Sequence, residues 1–229
     1  MSSGNFFSQV LALIRKDMLI ELRNKYVFGS VLLFSASTVM IIYFSLLYNG
    51  AINAIEASVW SILFWMVILF SAVNAVSNAF FRETEGQLMN YYFLFSPLVY
   101  ITSKIIYNVI YTLLLSVVGS LVFFTVISNP VKMPGIFSLV IILGSVSYAI
   151  LFTIMSAIAV KAKSNNTLVA VLGFPILIPM MIFITKVTAA ALGSIEQAEL
   201  VYKNLMLIAA LDLMQITLAV ILFPYIWRE

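Results

Sequence analysis

The sequence predicts an all-α integral membrane fold: six transmembrane helices preceded by an amphipathic, interfacial N-terminal helix. Three observations predict it: an apolar composition, six apolar stretches of spanning length, and a first helix that is charged where the others are not. Of 229 residues, 63% are hydrophobic and only 9% are charged, with a mean hydropathy of +1.12. Soluble domains carry about a quarter charged residues. Surface-to-volume scaling gives a chain of this length no way to bury so much apolar surface in water. Lipid is therefore the expected solvent for most of it.

Composition also excludes chemistry. Cys and His are both absent, which removes disulfides, Cys/His zinc sites and His-based acid–base motifs. The net charge of +3 is too small to read as nucleic-acid binding. The opening residues, Met1 to Asn5, lack the basic start and small-residue cleavage site of a secretory signal, so the N-terminal region is expected to be retained.

The first element occupies residues 6–25. Arg15, Lys16, Asp17, Glu21, Arg23 and Lys25 are set among Phe7, Val10, Leu11, Ile14, Met18 and Leu22. The apolar residues recur at steps of three and four, the spacing of one helical face. Charge this dense is costly inside hydrocarbon, so the helix is expected to lie on the membrane surface. The plainer alternative is a first span that starts early.

Six stretches follow, each near the ~20 apolar residues that cross ~30 Å of hydrocarbon. They run over about 27–48, 57–80, 105–128, 135–160, 167–190 and 204–226. Tyr48-Asn49-Gly50 and Asn129-Pro130 supply turn signals between them. Their connections are too short for a soluble catalytic domain, so residues 1–229 read as one membrane domain. No internal repeat or low-complexity segment stands out.

Basic residues set the orientation. Arg15, Lys16, Arg23, Lys25, Arg82, Lys104, Lys161, Lys163 and Arg228 fall on one side, and Lys132, Lys186 and Lys203 on the other. The richer side is cytoplasmic by the positive-inside rule. Both termini are then cytoplasmic, in a multi-pass membrane protein.

No phosphate-binding G-x-x-x-x-G-K-[ST] loop is present, so the sequence offers no basis for ATP hydrolysis. No catalytic or metal-ligating set can be assembled, and powered work would draw on a partner. Three regions stand out instead. The cytoplasmic loop Phe80-Phe81-Arg82-Glu83-Thr84-Glu85-Gly86-Gln87-Leu88 leads through an aromatic run to Ser96-Pro97 and Lys104. It reads either as a short helix that docks a soluble partner or as a solvated loop followed by an interfacial aromatic belt. In the fifth span, Pro175 and Pro179 each remove a helical hydrogen bond, which predicts a kink or a break, the latter open to substrate contact. Asp212 lies in the sixth span, where a carboxylate is a functional candidate by default. It reads either as that or as a hydrated residue near the outer interface, with Lys186 or Lys203 as partner. The eleven Met and eleven Tyr residues are dispersed, and read as packing and belt residues rather than haem ligands.

Taken in order, these segments resemble the haem exporter protein B family, the membrane permease of the cytochrome c maturation ABC transporter. The resemblance rests on the amphipathic start Ile14-Arg15-Lys16-Asp17-Met18-Leu19-Ile20-Glu21-Leu22-Arg23, the loop from Phe80 to Leu88, the Ser96-Pro97 and Ser103-Lys104 positions, and Gly173-Phe174-Pro175-Ile176-Leu177-Ile178-Pro179. The stretch between Arg82 and Gly86 is shorter than in proteobacterial members, which unsettles the placing of Glu83 and Glu85. The resemblance implies an ABC-2 or type V exporter-like permease of a bacterial inner membrane, with no catalysis of its own. It would form a homodimer, work with a cytoplasmic ATPase and other cytochrome c maturation membrane subunits, and hold no tight cofactor, haem entering as cargo of the complex. Arg82, Glu83, Glu85, Gly86, Gln87, Leu88 and Pro97 would couple to the ATPase. The same architecture serves ABC-2 permeases for lipid, polysaccharide or drug, and bulk features do not separate the two. An intramembrane enzyme or scaffold is a third class, weakened because Asp212 is the only clear intramembrane carboxylate.

Overall fold

A computed structural model of the chain describes residues 5–23, 25–48, 50, 55–81, 91, 93–127, 130–161, 166–193 and 198–228. Among these residues there are long helices and no strands. In chain order they are α1 (Phe6–Arg23), α2 (Lys25–Tyr48), α3 (Ala57–Phe81), α4 (Pro97–Val126), α5 (Pro134–Lys161), α6 (Asn166–Ala191) and α7 (Ala198–Arg228). Six of them, α2 to α7, are long and apolar enough to cross a membrane. α1 is a separate helix and is not one of the six.

Two helices reach further than their apolar windows suggest. α4 begins at Pro97 rather than near 105 because Ser96 caps it: the Ser96 hydroxyl accepts from the Val99 N–H at 3.4 Å, and proline occupies the first turn, where its missing N–H costs nothing. α7 begins at Ala198 rather than near 204, and its opening turn carries Glu199, a favourable charge at a helix N-terminus. α6 runs without interruption through both Pro175 and Pro179. The expected break is therefore absent. The two prolines stand four residues apart, so they free only two i−4 carbonyls, those of Val171 and of Pro175 itself. A helix clasped between neighbours tolerates that loss.

α5 is the central helix, packed against α3, α4, α6 and α7. Its residues from Ser147 to Ala157 are all buried, an all-round burial expected of a helix with no lipid-facing side. Polar ties then join the helices in pairs. Trp65 donates to Thr188 at 2.8 Å (α3 to α6), Asn108 to Thr153 at 2.8 Å (α4 to α5), and Ser145 to Ser116 at 2.8 Å (α5 to α4). Ser35 and Ser71 share a 2.7 Å bond between α2 and α3. Such bonds are worth roughly 0.6 kcal/mol each inside a membrane, so they set register more than they supply stability.

The bundle has two distinguishable ends. At one, Val10, Leu13 and Ile14 of α1 pack with Val99, Tyr100 and Ile101 at the start of α4, Ala157 late in α5 and Phe223 late in α7. At the other, Trp60 of α3 meets Phe123 and Phe124 late in α4 and Phe137 early in α5. There the N–H groups of Lys132 and Met133 also donate to the carbonyl of Ala191, at 3.0 and 2.9 Å. Gly193 sits beside this clasp at φ +97°, and a Cβ there would run into the Lys132 side chain. Successive helices thus alternate in direction.

Candidate functional site

Two polar centres occupy this apolar frame, one at the α1 end of the bundle and one in its middle. The first is built by α1 and α4. Every fourth residue of α4 from Lys104 is polar and buried: Lys104, Asn108, Thr112, Ser116 and Ser120. That repeat forms a stripe along one helical face. At its end the Lys104 ammonium meets Oδ2 of Asp17 at 3.0 Å, and Lys16 meets Oδ1 of Asp17 at 2.9 Å. Lys16 also donates to the Tyr91 hydroxyl at 3.0 Å and lies 4.6 Å from its ring centre. Asp17 and Lys104 are both buried. Removing the shared carboxylate from such a buried cluster costs about 3–5 kcal/mol, whereas loss of Lys104 leaves Asp17 paired with Lys16.

This pair reorganises the amphipathic face expected of α1. Val10 and Ile14 turn inward together with Leu13, Asp17 and Glu21. Phe7 and Leu11 stay 82% and 66% exposed, as an adjoining apolar stripe. The periodicity of apolar residues alone missed the division, because the buried face includes two carboxylates.

Tyr91 is the residue with which the described chain resumes after position 81. Arg82, Glu83, Glu85, Gly86, Gln87 and Leu88 lie outside the described residues. Pro97, the remaining member of that predicted set, opens α4, and the Lys104 pair sits two turns further on. The Phe95 N–H donates to the Tyr91 carbonyl at 3.0 Å, so the stretch entering α4 is tied to itself and, through Tyr91, to α1.

The second centre surrounds Asp212. The spanning stretch of α7 runs from Glu199 to Tyr225, and Asp212 stands at its midpoint. Its side chain is 5% exposed. Oδ1 accepts a hydrogen bond from the Ser147 hydroxyl of α5, whereas Oδ2 has no hydrogen-bond partner. Gln215, one turn along α7, is fully buried; its Nε2 faces the Met180 sulfur of α6 at 3.7 Å, and its Oε1 has no partner. Lys186 and Lys203 are exposed and form no ion pair with Asp212, contrary to the expected pairing. Both sit near the far ends of their helices, and a long charged side chain there extends towards water rather than into the bundle. Ser147 and Gln215 were not singled out from sequence. The available signal was the i, i+3 placing of Gln215 after Asp212 in an otherwise apolar helix. Pro175 is exposed and Pro179 half-buried, on the helix that also carries Met180.

Among the described residues no group of three or more acidic side chains is placed to hold a metal ion. The comparison with protein families gives one match, to the family described as CcmB protein, over residues 8–227. The chain belongs to the CcmB family. A search of curated proteins finds no match, and a search of solved structures finds none. The CcmB match spans α1 through α7 and is the haem exporter protein B family that the sequence resembles. It makes the chain a multi-pass membrane component of the haem-export ABC system of cytochrome c maturation.

Proposed function

We propose that this chain is the non-catalytic permease subunit that couples a separate cytoplasmic ATPase to haem handling in c-type cytochrome biogenesis. The family match over residues 8–227 carries the proposal. The α1 end of the bundle faces the cytoplasm, with both termini. The nine basic residues assigned to that side support this through the positive-inside rule. Asp17, Lys16, Lys104 and Tyr91 join α1 to the entry of α4 at that end. α1 lies along the interface, its exposed Phe7 and Leu11 dipping among the acyl chains.

Residues 82–97 form the surface that meets the ATPase. Arg82, Glu83 and Glu85 orient the encounter, and Gly86, Gln87, Leu88 and Pro97 shape the contact. A push delivered there reaches α4 directly and α1 through the Asp17–Lys104 pair, so the two move as one rigid body. Such a push shifts an equilibrium between two packings of the bundle. Pro175 and Pro179 mark where α6 has the fewest backbone bonds to resist bending. Asp212 is the polar group that such a movement would expose or re-bury. A second copy of the chain completes the permease, and haem is cargo of the assembled complex, held tightly by no residue of this chain.

Co-purification tests the coupling. Arg82→Glu and Gly86→Trp are each expected to reduce the ATPase recovered with the tagged permease while leaving permease levels in the membrane unchanged. Full recovery with both variants would make residues 82–97 a plain connection.

A further inference from the structure

We propose that Asp212, Gln215 and Ser147 form a proton-binding site at the middle of the membrane. Asp212 and Gln215 stand three residues apart on α7, which puts their side chains on one helical face. They are 5% and 0% exposed. Each ends in an oxygen that has no hydrogen-bond partner, Oδ2 of Asp212 and Oε1 of Gln215. Two acceptors cannot satisfy one another. A proton on Oδ2 converts the carboxylate into a donor, the group that an unpartnered acceptor on the same helical face, Oε1 of Gln215, requires.

The rest of the surroundings agree with a neutral acid. Oδ1 already accepts from Ser147, and the Gln215 amide N–H groups face the Met180 sulfur. Among the described residues, the charged groups on the packed helices are engaged elsewhere or lie in the open. Lys104 of α4 pairs with Asp17, and Tyr148 of α5 donates to the Met181 sulfur at 2.6 Å. Lys186 of α6 and Lys203 of α7 itself are exposed. Among the described residues no counter-charge is therefore placed to hold an ionised carboxylate in hydrocarbon. Proton uptake forms one O–H bond and cancels one negative charge; release to water reverses both, and no other bond changes. A permease that moves between two packings would thus bind a proton in one and offer it to water in the other.

The proposal rests on Asp212 as a membrane-embedded position. Its test reads protonation rather than cytochrome formation, so either reading can fail without the other. Infrared difference spectra of the full-length protein in lipid vesicles are expected to show the carbonyl stretch of a protonated carboxyl at neutral pH. That band should vanish in Asp212→Asn and move in Gln215→Leu. Labelling by dicyclohexylcarbodiimide, which adds to a carboxylic acid, should fall on the peptide carrying Asp212 and remain unchanged in excess sodium or potassium. Absence of the band would mean an ionised Asp212, with the Gln215 amide turned round as donor, and would overturn the proposal. Protection by either metal ion would replace the proton site with a cation site. A band that Gln215→Leu leaves in place would remove Gln215 from it.

Discussion

Asp17 and Asp212 are both buried carboxylates in the same bundle, and their surroundings differ in kind. Asp17 lies between two ammonium groups, at 2.9 and 3.0 Å. Asp212 has one hydroxyl donor and an orphan oxygen. The first is a compensated charge that fastens two helices together. The second is a polar group left uncompensated at mid-span. An ion pair at the end of a bundle holds shape, because breaking it leaves a bare charge in a dry place. An acid with no ammonium beside it strands no cation when its charge is lost.

The largest expected effect breaks the first arrangement. Asp17→Ala removes the carboxylate that Lys16 and Lys104 share and is expected to destabilise the protein by about 3–5 kcal/mol, and Lys104→Ala by less, because Lys16 stays beside Asp17; both are read by thermal unfolding in detergent. Exchanging the two, with Asp17→Lys and Lys104→Asp together, should recover a large part of the loss. Equal losses in singles and exchange would mean that side-chain packing, not the ion pair, fastens α1 to α4.

Packing in the middle of the bundle gives the next effect. Gly144 faces Trp65, and a Cβ there would run into the ring. The ring has little room to move, because its N–H is held by Thr188 and its edge meets Tyr148. Gly144→Ala is expected to cost about 1–3 kcal/mol by overpacking, measured in the same way.

The smallest effect on stability belongs to Asp212. Asp212→Asn keeps an acceptor for Ser147 and strands no cation. It should change stability by less than about 1 kcal/mol while lowering the amount of c-type cytochrome formed. A loss as large as that of Asp17→Ala would place Asp212 among the fastening groups and erase the contrast.

Much of this fold was legible in the sequence because membrane spans announce themselves by length and apolarity alone. The six spans follow from that, as does the separateness of the charged first helix. What escaped depends on partners distant in sequence. Asp17 and Lys104 lie 87 positions apart, and each reads on its own as a surface charge; only the packing of α1 on α4 makes them a buried pair. The four-residue polar repeat from Lys104 to Ser120 was present to be read, but Ser and Thr disturb hydropathy too little to signal it. Asp212 was visible as a residue. Its depth was not, because the early start of α7 is set by Ala198 and Glu199, outside the apolar core of the span. The proline-bearing helix left two readings open, a kink or a break at Pro175 and Pro179, and the continuity of α6 removes the break.

The central claim is that this chain serves c-type cytochrome assembly as a membrane subunit. It is tested most directly by deleting the gene and measuring covalently bound haem in c-type cytochromes, with the wild-type chain supplied back as control. The account predicts that covalent haem is lost in the deletion strain and restored by the returned chain. Unchanged covalent haem without the chain would contradict it.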